Sequence, residues 1–347
     1  MKPIEPVPRG GPAGLVPGRY KREASDFVVE EIPAYEPSGS GEHLYLLVEK
    51  RGLSTFDAVS RLGRALGRRD REFGFAGMKD ARAVTRQWIS IQGVDEAAVS
   101  ALQLDGVTVL EARRHTNKLK MGHLRGNRFS VMISGAEAEH AEAVAANLGY
   151  LAEHGVPNYF GEQRFGKRGA NLDKGLKILG GNPRKAARSM PRRLLSLVVS
   201  AVQSEVFNRV LITRRDEIDD VRPGDVAWLH RNGACFVVGE GSDERGRCTS
   251  FEISPSGPLP GPKMLRAEGD VGELEEAALR AVGLSYEVFG KMPYGTHDGA
   301  RRPLRVPVGE PAVSVEREGL RVSFELPRGA YATAVLRELL ADCPWFG

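Results

Sequence analysis

"AVSVEREGLRVSFEL" runs from Ala312 to Leu326, and its apolar residues alternate on both sides of Glu318-Gly319. Alternation at a period of two gives a strand one apolar face, and a Gly-bearing pair between two such runs reads as a turn. The same texture fills the first part of the chain. "NRFSVMISG" (127–135) sets Phe129, Val131 and Ile133 on one face, and "FVVEEI" (27–32), "HLYLLVEK" (43–50), "TRQWISIQG" (85–93) and "VTVLEARRH" (107–115) also read as strands. Helices separate some of them. "STFDAVSRLGRALG" (54–67) places Phe56, Val59, Leu62 and Leu66 on one face, with Ser54 and Asp57 spaced as a capping box. Shorter and longer helical patterns follow at 95–104 and 137–155. Strands and helices alternate here without regular βαβ spacing, so a mixed α+β sheet is predicted rather than a doubly wound one.

Between these two strand-rich regions the texture differs. "RRLLSLVVSAVQSEVFNRVLITRRDEID" (192–219) predicts a long amphipathic helix or a helix pair. "GDVAWLHRNGACFVVG" (224–239) predicts a hairpin turning at Asn232-Gly233, and the Pro- and Gly-rich "SPSGPLPGPK" (254–263) predicts a loop. The chain is predicted to end in a helix over 332–341. A β-rich start, a mostly helical middle and a β-rich end imply one discontinuous domain, residues 1–155 plus 306–347, interrupted by an insertion at 156–305.

The 347 residues suit about two domains at roughly 150 residues each. Apolar residues make up 41% and charged residues 27%, as in ordinary globular chains, and the net charge of +4 is too mild to name a partner. Cys235, Cys248 and Cys343 form no CxxC pair, which disfavours a disulfide framework or a zinc site and fits a reducing cytoplasm. No stretch approaches the roughly 18 consecutive apolar residues of a membrane helix. The N-terminal "MKPIEPVPRGGPAG" lacks the apolar core of a signal peptide and reads as a flexible lead-in.

Three stretches could carry chemistry. The run from Arg113 to Arg128 holds Arg113, Arg114, Lys118, Lys120, Arg125 and Arg128 with no acid. It is either a solvated loop or a phosphate-contacting surface, and Gly122, Gly126 and Phe129 beside it suit backbone tracking with base stacking. "GEQRFGKR" (161–168) fits a phosphate loop up to its lysine, but Arg168 stands where the magnesium-holding Ser or Thr belongs. In "GFAGMKDARAVTRQW" (74–88), Asp80 is either a turn carboxylate capping an amide or a carboxylate held for chemistry. The seven histidines form no HExxH-type motif, so no metal site competes with it.

Six blocks in the same order carry a resemblance. They are "SDFVVEEIP" (25–33), "FAGMKDARAVTRQ" (75–87), "KLKMGHLRGNRF" (118–129), "VPNYFGEQRFG" (156–166), "SAVQSEVFNRVL" (200–211) and "LPRGAYATAVLREL" (326–339). Together they resemble the TruD family of tRNA pseudouridine synthases over nearly the whole chain. "FGEQRFGK" is then similar to a family block, not to a phosphate loop.

The resemblance implies a pseudouridine-synthase α+β core with a largely antiparallel sheet, and an inserted, mostly helical TRUD domain. It implies isomerisation of a uridine in tRNA to pseudouridine, with position 13 suggested, although some relatives use other RNAs. Because no electron or phosphoryl group moves, no cofactor, ATP or metal is implied. A cytoplasmic monomer with a tRNA substrate and no obligate protein partner is expected. Asp80 matches the family's nucleophile, a carboxylate that splits one hard step into easier ones. Phe27, Asn127, Phe129 and Tyr331 match substrate-pocket positions, and such a pocket must receive a base extruded from its stack. Core packing remains the other reading of Phe27 and Phe129. Lys21 and Glu30 either position the nucleophile or relay a proton. Lys79 either orients Asp80 or touches phosphate. Lys118, Lys120 and Arg125 are expected on the RNA backbone. A non-catalytic RNA-binding or chaperone protein is the rival reading, and the intact block around Asp80 argues against it.

Overall fold

A computed structural model of the chain describes residues 1–292 and 297–343. Its strands are β1 (Phe27–Pro33), β2 (His43–Arg51), β3 (Gly74–Phe75), β4 (Val84–Gln92), β5 (Val107–His115), β6 (Leu124–Ser134), β7 (Val156–Pro157), β8 (Val226–Leu229), β9 (Cys235–Val237), β10 (Ile253–Leu259), β11 (Ala300–Pro303), β12 (Arg305–Val306), β13 (Gly309–Glu316) and β14 (Gly319–Pro327). Eight of them form one sheet in the order β13-β14-β6-β1-β4-β2-β5, with β3 alongside β4. Only the β1–β4 pair is parallel, so the α+β sheet is largely antiparallel, as predicted.

The alternation in 312–326 explains how the late strands join the early ones. Leu320, Val322, Phe324 and Leu326 are all buried, and β14 pairs with β6 in the register Leu320↔Ile133, Val322↔Val131, Phe324↔Phe129. Both strands turn their apolar face to one core, roofed by Val144, Leu148 and Leu151 of the Ala141–His154 helix and by Val335, Leu336 and Leu339 of the Ala332–Leu339 helix. A slip of one residue would turn both apolar faces to water, so the register is strongly specified.

A second buried cluster spans Tyr159 to Leu304 and centres on the single Arg192–Arg214 helix, which contributes Val198, Val202, Val206, Phe207 and Leu211. Beside it lies a four-stranded sheet in the order β11-β10-β8-β9. Its strand β10 corrects the predicted loop over 254–263. Pro255 and Pro258 suggest a breaker, since proline has no N–H for a ladder. The strand survives because β8 pairs only with 253–255 and β11 only with 256–259, so neither ladder runs its full length. The short β7–β12 pair joins Val156 to Val306, at the two points where the texture of the sequence changes.

Two more expectations need correction. Phe56 is 58% exposed and lies edge-on to Phe75, while the buried face of the Thr55–Leu66 helix is Thr55, Ala58, Val59 and Leu62. The N-terminal segment is no loose lead-in among the described residues. The Ile4 amide donates to Glu205 (3.0 Å), Arg9 pairs with Asp219 (2.9 Å), the Gly10 amide donates to Glu338 (2.9 Å) and the Val16 amide to the Leu339 carbonyl (2.8 Å). It lies across both buried clusters. Its order comes from side-chain acceptors far away in sequence, which leave no local period to read.

Candidate active site

The parallel pairing of β1 with β4 begins at Val28↔Val84, so the loops that enter these strands emerge side by side at one end of the sheet. Lys21 lies on the first loop and Asp80 on the second. The Lys21 Nζ donates to Asp80 Oδ2 at 2.5 Å, and the Arg82 amide donates to Oδ1 at 3.0 Å. The Asp80 side chain is 43% exposed, so a carboxylate faces outward with one cation fixed against it. Burial alone would raise its pKa, but the Lys21 hydrogen bond, the Arg82 amide and the charges of Lys21 and Lys50 bring it below the usual aspartate value. Lys21 holds this place with a left-handed backbone (φ 60°), which strains any residue other than glycine.

Aromatic rings back the pair. Lys21 Nζ sits 4.2 Å from the centre of the Phe27 ring, within cation–π range. Phe27 meets Phe129 edge-on at 6.1 Å, and Phe129 stacks on Phe324 at 5.5 Å. Phe27 and Phe129 are only 5% and 6% exposed, and both belong to the main core cluster. Both rings are core residues, as the packing reading expects, and Phe27 is also the surface on which Lys21 rests.

Lys79 points the other way. Its Nζ bonds Glu31 Oε2 at 2.9 Å, with side chains 5% and 1% exposed, and its amide donates to Thr55 Oγ1 at 2.9 Å. A phosphate contact by Lys79 is thereby corrected: the ammonium is spent inside the protein and roots the Asp80 loop. Glu31 also accepts from the Trp88 amide, while burial pushes its carboxyl upward against the pull of Lys79. Side chains alternate along a strand, so Glu31, not Glu30, shares a face with Phe27 and Val29. The Glu30 expectation was therefore one residue out of phase with the carboxylate that reaches the loop.

Asn127 stands opposite Glu31 in β6, and its Oδ1 is buried with no hydrogen-bond partner among the described residues. Buried polar atoms are nearly always satisfied, so such an acceptor calls for a ligand group or water. Tyr331 is 43% exposed at the N-terminus of the Ala332–Leu339 helix. The bonds and ring contacts that unite Lys21, Phe27, Phe129 and Asp80 do not reach Asn127 or Tyr331 among the described residues. In the basic run, Lys120 and Arg125 are exposed, but Lys118 Nζ already donates to the Arg71 carbonyl at 2.8 Å. Arg128 and Arg114 are paired with Glu325 and Glu96.

With this geometry in place, the family described as tRNA pseudouridine synthase D (TruD) matches residues 14–190 and 172–339. The chain belongs to the TruD family. It is 44% identical to a tRNA pseudouridine synthase D of Thermus thermophilus, over 94% of this chain and 89% of the relative. It is 42% identical to one of Geobacter metallireducens, over 93% and 95%. A crystal structure from Methanosarcina mazei assigned to the same family shares the fold, with a TM-score of 0.81 at 24% identity, over 98% of this chain and 95% of that one. For a TruD chain, then, the structure adds residues that sequence reading passed over: Glu31, Thr55, Arg82 and Lys50. Thr55 and Arg82 carry no motif. Lys50 had a signal in the alternation Leu44, Leu46, Val48, which continues onto it.

Proposed function

We propose that this chain is a cytoplasmic tRNA pseudouridine synthase that isomerises a uridine, at position 13 as the family suggests, with Asp80 as the nucleophile. The observation that carries this is a half-exposed carboxylate fixed between Lys21 and the Arg82 amide, on a loop rooted by a buried ion pair. The reaction breaks the N1–C1′ bond, turns the base and joins C5 to C1′. The proton leaves C5 and N1 gains one, so atoms and electrons balance without an oxidant or a phosphoryl donor. The carboxylate supplies the attacking electron pair, which requires it to be ionised. Its lowered pKa keeps it so at neutral pH. A preset ion pair lowers the cost of reorganisation when charge moves.

The same reading assigns the remaining roles. Phe27, backed by Phe129 and in contact with Lys21, the partner of Asp80, is the aromatic surface proposed to receive an extruded base. The unpaired Asn127 Oδ1 suits the N3–H of a uracil, and exposed Tyr331 can cover a ring. Lys120 and Arg125 contact phosphates. Residues 1–155 with 306–347 form the catalytic core and residues 156–305 the inserted TRUD domain. The separate buried clusters and the β7–β12 junction support that division. The enzyme acts as a monomer on tRNA. Pseudouridine mapping of cellular RNA with and without the gene tests the substrate. A position-13 signal that vanishes on deletion is expected, and an unchanged pseudouridine map would end the proposal.

A further inference from the structure

Lys50 is the last inward residue of the face that Leu44, Leu46 and Val48 build on β2, and it is wholly buried. A lysine there is costly unless its ammonium is used. Its Nζ donates to the Leu53 carbonyl at 2.5 Å and to the backbone carbonyl of Asp80 at 2.9 Å. No carboxylate touches it among the described residues, so the charge is balanced only at longer range.

We infer that Lys50 is a positioning residue for the TruD reaction, holding the Asp80 backbone from beneath so that the carboxylate meets the substrate at a fixed height. This rests on the reading of Asp80 as nucleophile. Lys21 grips the carboxylate from the open side, Lys79 roots the preceding residue through Glu31, and Lys50 ties Asp80's own peptide to the turn at Leu53. A nucleophile held by its backbone as well as its side chain keeps a near-attack geometry that a floppy loop would lose. The charged groups facing Lys50 are Asp80 and Lys79 from the loop and Asp57 from the Thr55–Leu66 helix. Burial lowers the Lys50 pKa to about 8, against the upward pull of Asp80 and Asp57. The ammonium therefore gives up its proton at mildly alkaline pH, and the loop loses the charge that holds it.

The test compares wild type, Lys50→Met and Asp80→Asn by single-turnover pseudouridine formation at saturating tRNA, by tRNA Kd and by the rate from pH 6 to 9.5. Lys50→Met is expected to slow the reaction about tenfold or more while Kd changes less than about threefold, and to lack the alkaline fall near pH 8 that is expected of wild type. A folded Lys50→Met enzyme with a wild-type rate overturns the inference, as does a rate loss matched by an equal loss of tRNA affinity. Should Lys50→Met fail to fold, Lys50→Gln, whose shorter side chain reaches the two carbonyls less well, takes its place: a slowed rate at constant Kd supports the inference and a wild-type rate overturns it. Activity in Asp80→Asn would instead remove the nucleophile reading itself, whereas an inactive Asp80→Asn beside a fully active Lys50→Met sinks only the role of Lys50.

Discussion

At the scale of single residues, the block around Asp80 was legible as a family block because it is long and collinear with the others. The residues that hold its loop were less so. Lys79 invited a surface reading because lysines are rarely buried, and only the three-dimensional partner Glu31 shows where its charge goes. Glu30 and Glu31 are adjacent in "VVEEI", and a sequence alone does not say which one turns inward until the register with β6 is fixed. Phe129 carries both a core and a site reading, and one variant separates them. Phe129→Ala is expected to cost about 3–5 kcal/mol of stability, because the ring fills the space between Phe27 and Phe324. The proposed pocket adds a second expectation: protein still folded should react more slowly at saturating tRNA, since Phe27 loses its backing. Thermal denaturation with single-turnover rates reads both quantities. Stability loss with normal turnover would make Phe129 core only.

At the scale of elements, the longer strands of the main sheet were legible to within about three residues at their ends, because alternation is local and burial enforces it. β10 was not, because its prolines are tolerated only by a change of partner midway. Phe56 was misplaced because a helical stripe fixes a direction but not which of its edges meets the sheet. The basic run gives a prediction at this scale. Lys120 and Arg125 are exposed, whereas Lys118 is engaged with the Arg71 carbonyl. Lys120→Ala and Arg125→Ala should each lower the slope of log K against log salt by roughly 0.7–0.9. Lys118→Ala should lower it less and cost stability through the lost Arg71 contact. Turnover at saturating tRNA should change little, because phosphate contacts position the substrate. Equal slopes for all three variants and wild type would remove this surface from the RNA path.

At the scale of the whole molecule, the discontinuous sheet was legible from 312–326, but the N-terminal segment lying across both clusters was not. Glu338 in the final helix accepts the Gly10 amide and is 2% exposed, and burial pushes its pKa up to about 7 against the pull of that amide and Arg9. A carboxyl whose folded pKa lies above its unfolded value favours the folded state while protonated. That stability is fully present below about pH 4.5 and is lost as pH rises through about 7. By linkage the effect is on the order of 3 kcal/mol at most. Wild type should lose more stability than Glu338→Gln between pH 4.5 and 7.5, measured as Tm against pH. Parallel curves for the two proteins would show that Glu338 does not titrate on folding.

The reaction itself can be read directly, since forming pseudouridine must expel the proton on C5. tRNA carrying tritium at C5 of its uridines, incubated with wild type and with Asp80→Asn, reports that event as tritium released to water. Wild type should release label up to one uridine per tRNA, and Asp80→Asn should release none while binding the same tRNA with similar affinity. Release by Asp80→Asn at the wild-type rate would contradict the assignment of Asp80, and no release by wild type from any cellular tRNA would contradict the proposed isomerisation.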